Sequence, residues 1–159
     1  MPQAQKEKIE CEFDNKRKIC FVCTGNTCRS PMAAAAYNFL FSDSGITAYS
    51  RGISANGFSP ISENAVYALK SKNIKPTDCF DYENHISRQI SDKDFLLSEQ
   101  IYGISEQHAM ALIYAFPAYA DKISPLPISI PDPFGGDEQT YCNCLDMIIE
   151  ALKEISNGN

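Results

Sequence analysis

KICFVCTGNTCRSPM, residues 18–32, is the stretch on which the fold turns. Lys18 to Val22 is a short apolar run, the pattern of a strand covered on both faces. It ends in Cys23-Thr24-Gly25-Asn26-Thr27-Cys28-Arg29, a polar stretch with one glycine. Ser30-Pro31 then reads as an N-cap followed by proline at the first helical position. Met32 to Phe41, rich in alanine, leucine and aromatic residues, continues as a helix. The order is strand, phosphate-sized loop, helix.

Such a loop has a chemistry of its own. Wrapped over a helix N-terminus, it turns successive N–H groups toward one point, and that point favours a dianionic phosphate. The residues from Thr24 through Gly25, Asn26, Thr27, Cys28 and Arg29 to Ser30 would form this cradle. Gly25 is expected to take backbone angles closed to other residues. Asn26 tolerates left-handed angles and can brace the loop through its amide. Arg29 brings a planar fork that grips two phosphate oxygens and follows them into a trigonal-bipyramidal transition state. The same field favours a thiolate over a thiol. Cys23, at the Cys-x5-Arg spacing, is therefore the expected nucleophile for in-line attack on phosphorus. Ser30 can cap the helix and also donate to that sulfur. Cys28 is either a small buried side chain or the partner of Cys23 in a reversible disulfide that shields the nucleophile from over-oxidation.

The pattern recurs outward from this stretch. Thr47 to Ser50, Ile101 to Ile104 and Ile123 to Leu126 are further strand candidates. Helices are expected from Ser62 to Lys72, from a Ser105 cap to about Ala115, and from Glu138 to Ile155. Strands alternating with helices predict an α/β fold with a parallel sheet and right-handed crossovers. Ligands bind such sheets at the carboxyl ends of the strands, where the Cys23 loop sits.

The chain has 159 residues, 44% of them hydrophobic, which suits one domain with a sizeable core. That domain is expected over residues 18–156, with a polar, flexible arm at 1–17. A net charge of -6 argues against a nucleic-acid partner but not against a local anion site. No run is long enough to span a membrane, and the first residues do not form a secretion signal. Seven cysteines, an odd number, point to a reducing, cytoplasmic setting rather than a disulfide framework. Cys142-Asn143-Cys144 is spaced too closely for the usual zinc pair, and His85 and His108 are the only histidines, so no metal is expected.

Val22 to Met32 closely resembles the signature loop of the low-molecular-weight protein tyrosine phosphatases. Asp132-Pro133-Phe134-Gly135-Gly136 resembles the general-acid loop of that family. Ser50 to Ile53, His85 to Ile90 and Ile104 to His108 match it in order and spacing. The resemblance implies a four-stranded parallel sheet with helices on both faces and the phosphate loop after the first strand. It also implies a two-step mechanism without cofactor. Cys23 attacks phosphorus, Asp132 protonates the leaving atom, and Asp132 then serves as base toward water. On the residues alone, Asp132-Pro133 is only a turn signal. The resemblance further casts His85 as a brace for the Asn26 region. His108 reads as a first-turn helix residue.

The implied substrate is a phosphorylated protein or peptide. Phosphotyrosine-acting members resembling this chain usually carry Ile where Thr27 stands, and protein arginine phosphatases carry Thr. The two aromatic residues expected after Asp-Pro in a phenyl slot are reduced here to Phe134, followed by Gly135. Thr27 and Phe134 are thus the expected pocket residues, and the balance leans slightly to phosphoarginine. Arg51 would disfavour a guanidinium if it faced the pocket. The alternatives are a thioredoxin-coupled arsenate reductase and a catalytically dead phosphate-binding module. The former needs a resolving cysteine pair, whereas Cys79 is followed by Ile86 rather than a second cysteine. The latter would be expected had Cys23, Arg29 or Asp132 been replaced.

Overall fold

The computed structural model describes residues 17–157. Four strands, β1 (Arg17–Cys23), β2 (Ile46–Gly52), β3 (Gln100–Gly103) and β4 (Ile123–Pro125), form one parallel sheet in the order β2-β1-β3-β4. Five α-helices among the described residues connect and cover them: α1 (Arg29–Leu40), α2 (Glu63–Ser71), α3 (Asp92–Leu97), α4 (Glu106–Ala115) and α5 (Glu138–Asn157). The arm expected over residues 1–17 lies outside the described residues, except for Arg17, which opens β1. No helix among the described residues is long and apolar enough to cross a membrane.

β1 is central and buried on both faces, which explains its unbroken apolar run. Its side chains alternate between two cores. Ile19, Phe21 and Cys23 face the layer of α1, α2 and α5, while Cys20 and Val22 face α3 and α4 with Phe95, Ile101 and Leu112. α1 is buried from Arg29 to Asn38, and its four alanines, Ala33 to Ala36, let it lie close to the sheet and α5.

β2 is an edge strand, and its free side is partly covered. The Asn38 amide on α1 donates to the Ala48 carbonyl and accepts from the Ala48 N–H, both at 2.8 Å. Further along, Gly52 receives two backbone bonds from the segment at 88–90: its N–H donates to Arg88 and its carbonyl accepts from Ile90.

Two local expectations change. The helix after the loop starts at Arg29, with Cys28 at the cap position, so Ser30 is not the N-cap. Its hydroxyl is taken up by groups far away in sequence. α3, six residues long, was not anticipated; reciprocal Ser91–Asp94 bonds close its first turn.

Candidate active site

The loop between β1 and α1 sits at the carboxyl end of the sheet, and β2 ends beside it. Gly52 makes this approach possible: a Cβ there would lie 2.8 Å from the Thr24 carbonyl oxygen and 3.0 Å from the Asn26 Cβ. The N–H groups of Ile53 and Ser54 then donate to the carbonyls of Cys23 and Thr24 at 2.9 Å. Gly52 is thus a structural part of the site that single-residue reasoning missed, although its neighbourhood carried the family resemblance.

Asn26, fully buried, is the hub of the loop. Its φ of 58° is left-handed, as expected for asparagine. Gly25 does not take a positive φ, and a Cβ there would meet only Thr27 Oγ1 at an ordinary 3.8 Å, so the conformational freedom expected of Gly25 is used at Asn26 instead. Asn26 Nδ2 donates to Ser30 Oγ (2.8 Å) and Ser50 Oγ (3.0 Å). Its Oδ1 accepts from the Arg88 N–H at 2.9 Å. His85 Nε2 donates to the Asn26 carbonyl at 2.8 Å, the bracing position anticipated for it. Every polar atom of a fully buried amide is thereby engaged, which is what keeps such a hub from being costly.

Cys23 is almost fully buried, and its sulfur lies 3.0 Å from Ser30 Oγ. Because Ser30 Oγ accepts from Asn26, its hydrogen is left for the sulfur or for the Arg51 carbonyl, 3.3 Å away. Arg29 is also buried. Its Nη1 donates to the Ile130 carbonyl at 2.9 Å, and Nη2 stands 3.8 Å from Asp132 Oδ2. The guanidinium therefore joins the phosphate loop to the loop that follows β4. In that loop Asp132 is largely exposed, and its Oδ1 accepts from the Phe134 N–H at 3.1 Å.

A cleft opens at the phosphate loop, next to Thr24 and Arg29. Thr24 and Arg29 line one side, Ser105 to His108 a second, and Ser129 to Asp132 a third. Its wall is mainly polar and includes two acidic residues, Glu106 and Asp132. Thr27 and Phe134, the expected pocket residues, do not line this cleft. Thr27 Oγ1 lies 3.7 Å from Cys28 Sγ, and Phe134 is 82% exposed. Cys28 is buried, with Tyr141 Oη 3.4 Å from its sulfur. Burial, followed by that bond, pushes the Tyr141 phenol up to about 12. Burial likewise pushes the Cys144 thiol, whose sulfur approaches the Pro131 carbonyl at 3.9 Å, up to about 12. Cys28 and Cys23 are both unbonded thiols in this structure.

Arg51 turns away from the cleft. Its Nε pairs with the buried Asp94 at 3.2 Å, and its guanidinium lies over the Tyr49 ring at 4.7 Å. Cys79 lines a separate hollow along β2, with Ser50, Phe80, His85 and Ile86.

A parallel sheet whose first strand ends in a Cys-x5-Arg loop, with an aspartate across from the arginine, brings together a thiol, a cation and a carboxyl group suited to cysteine-based phosphoryl chemistry. Residues 18–157 match the family model described as low molecular weight phosphotyrosine protein phosphatase, and the chain belongs to this family. It is 30% identical over 147 residues to a protein-arginine-phosphatase of Bacillus subtilis (strain 168), covering 87% of this chain and 93% of the relative. It is 32% identical over 144 residues to an arsenate reductase of Bacillus cereus (strain G9842), covering 91% and 97%. The crystal structure of a low molecular weight protein tyrosine phosphatase from T. tengcongensis superposes with a TM-score of 0.81 at 26% identity, over 90% of this chain and 99% of that one.

Proposed function

We propose that this chain is a protein phosphatase in which Cys23 attacks the phosphorus of a phosphorylated side chain, Arg29 holds the phosphoryl oxygens and Asp132 is the general acid. The observation that carries this is the double role of Arg29. It lies at the mouth of the Cys23 loop and is tied through Nη1 to Ile130, two residues before Asp132. One cation thus sets the acid's position relative to the phosphate. The amides from Thr24 to Ser30 supply the rest of the anion cradle. The bond from sulfur to phosphorus forms as the bond from phosphorus to the leaving atom breaks, and Asp132 delivers a proton to that atom. Water, deprotonated by Asp132, then attacks the cysteinyl-phosphate; phosphate leaves and the sulfur departs as thiolate, beside the Ser30 hydroxyl.

For the substrate, we favour phosphoarginine in a protein or peptide. The cleft is polar and bears Glu106 and Asp132, which suit a guanidinium better than a phenyl ring. Arg51, which would have opposed such a cation, is spent on Asp94. Thr27 stands in the phosphate loop, though outside the cleft wall, and two relatives carry the name protein-arginine-phosphatase. The odd cysteine count favours a reducing cytoplasm as the site of action. Side-by-side assays on phosphoarginine, phosphotyrosine and phosphoserine peptides test the reading. Thr27→Ile is expected to shift the kcat/KM ratio toward phosphotyrosine, and an unaltered ratio would count against Thr27 as the selector.

The names of several relatives favour a second reading, arsenate reduction. That chemistry passes a disulfide outward from the nucleophile. Here Ile86 stands beside Cys79 in the hollow along β2, where a second thiol would be needed. Oxidation of reduced thioredoxin that depends on arsenate would establish this reading over the first.

A further inference from the structure

Thr24 Oγ1 and His108 Nε2 stand 3.1 Å apart, joining the residue after the nucleophile to a helix 84 positions further along the chain. The direction of this bond is set from the far side of the ring. The backbone N–H of Ser105 points at His108 Nδ1 over 3.2 Å, and a backbone N–H can only donate; the Ser105 hydroxyl, 2.8 Å from the same nitrogen, accepts from the His108 backbone N–H and has its own hydrogen left for that lone pair. Nδ1 therefore presents its lone pair, and the proton of the neutral ring sits on Nε2. Burial and the charge of Arg29 keep the ring neutral, lowering its pKa to about 4, with Asp132 opposing. Nε2–H then donates to Thr24, and the threonine's own hydrogen is left for another acceptor. Thr24 is exposed and lines the same cleft as Arg29 and Asp132, so the cleft is open to that hydrogen.

We propose that His108 is a positioning residue, holding the Thr24 hydroxyl with its hydrogen turned toward the phosphorylated side chain of the substrate. The inference rests on the phosphatase reading of the Cys23 loop. A purely structural His108 would act only as a helix cap, because Ser105 and His108 also exchange the reciprocal bonds that close the start of α4. Substitutions can separate the two roles. Glutamine and glutamate at position 108 both keep an oxygen for the Ser105 N–H. Toward Thr24 they differ: glutamine donates, as the imidazole does, whereas glutamate accepts and draws the Thr24 hydrogen out of the cleft. Leucine does neither.

The experiment measures kcat and KM for wild type, His108→Gln, His108→Glu and His108→Leu, each alone and combined with Thr24→Val. The probes are para-nitrophenyl phosphate and the phosphopeptide that wild type hydrolyses fastest, and thermal midpoints are recorded throughout. His108→Gln should stay within about twofold of wild type, while Glu and Leu lose about tenfold in kcat/KM, mostly through KM. In the Thr24→Val background these losses should collapse, because the group being positioned is gone. Equal values for Gln and Glu, or losses that persist undiminished beside Thr24→Val, would overturn the proposal. The second outcome is also what charge repulsion by the new glutamate alone would give. Should Leu fail to fold, the Gln–Glu comparison decides, since both preserve the cap. A wild type that turns over neither probe overturns the phosphatase reading and this inference with it; wild-type turnover with a flat His108 series overturns only the inference.

Discussion

The hydroxyl of Ser30 stands 3.0 Å from the sulfur of Cys23, and because it accepts from the Asn26 amide its hydrogen is divided between that sulfur and the Arg51 carbonyl at 3.3 Å. A hydrogen bond to a charged sulfur counts most when the thiolate leaves the cysteinyl-phosphate. Ser30→Ala should therefore slow this second step more than the first. Stopped-flow turnover of para-nitrophenyl phosphate is expected to show a burst of nitrophenol followed by a steady rate about ten- to a hundredfold below wild type. A uniform slowing without a burst would place the role of Ser30 elsewhere.

Asp132 is reached by solvent yet lies 3.8 Å from the Arg29 guanidinium. As general acid, it should matter in proportion to how badly the leaving group needs a proton. Asp132→Asn is expected to lower kcat by about 10²- to 10⁴-fold on substrates with poor leaving groups. The loss should shrink along a series of aryl phosphates as the leaving phenol becomes more acidic. A loss independent of leaving group would remove Asp132 from the role.

Gly52 tests the contact between β2 and the phosphate loop. Alanine there would force its methyl to within 2.8 Å of the Thr24 carbonyl oxygen, and backbone cannot swing aside as a flexible side chain can. Gly52→Ala should cost about 1–3 kcal/mol of stability, read from the denaturation midpoint. It should also weaken phosphate or vanadate binding, since the carbonyls of Cys23 and Thr24 are held by Ile53 and Ser54, just past Gly52. Wild-type anion affinity in the variant would show that the loop does not depend on this approach.

His108 ties stability to acidity. Its pKa is lowered to about 4 by burial, then by Arg29, so between that value and the ordinary 6.5 the unfolded chain takes up a proton that the folded chain refuses. The contribution is complete above the unfolded value and is lost as pH falls toward 4. Urea denaturation at steps from pH 7 to pH 4 should show wild type losing stability in this window, and His108→Gln losing measurably less. Parallel curves for the two proteins would contradict the assignment.

What could be read from the chain was what neighbouring residues decide among themselves. β1, the loop and α1 form one continuous stretch, and an apolar run, a polar break and an alanine-rich helix are visible without any tertiary context. The parallel order of the sheet follows from strands alternating with helices. Ser30 was misread because cap propensity is local, whereas its hydroxyl is claimed by Cys23, Asn26 and Arg51, brought together only by the fold. Gly25 was credited with a conformation that Asn26 adopts, since either residue type can supply it. The orientation of Arg51 depends on register: paired with Val22, it points with that residue toward α3 and away from the phosphate loop. The Thr24–His108 bond had no local signal beyond the spacing of a capping box at Ser105.

The exchange between Asn38 and Ala48 has a meaning for life in a crowded solution. An outermost strand is a template on which another polypeptide can grow, and its exposed amides are the invitation. At Ala48 the carboxamide of Asn38 occupies both pairing positions, much as a peptide group of a fifth strand would. On this edge the molecule thus closes the pairing positions of one residue to an added strand, using one side chain of the same helix that begins at the phosphate loop.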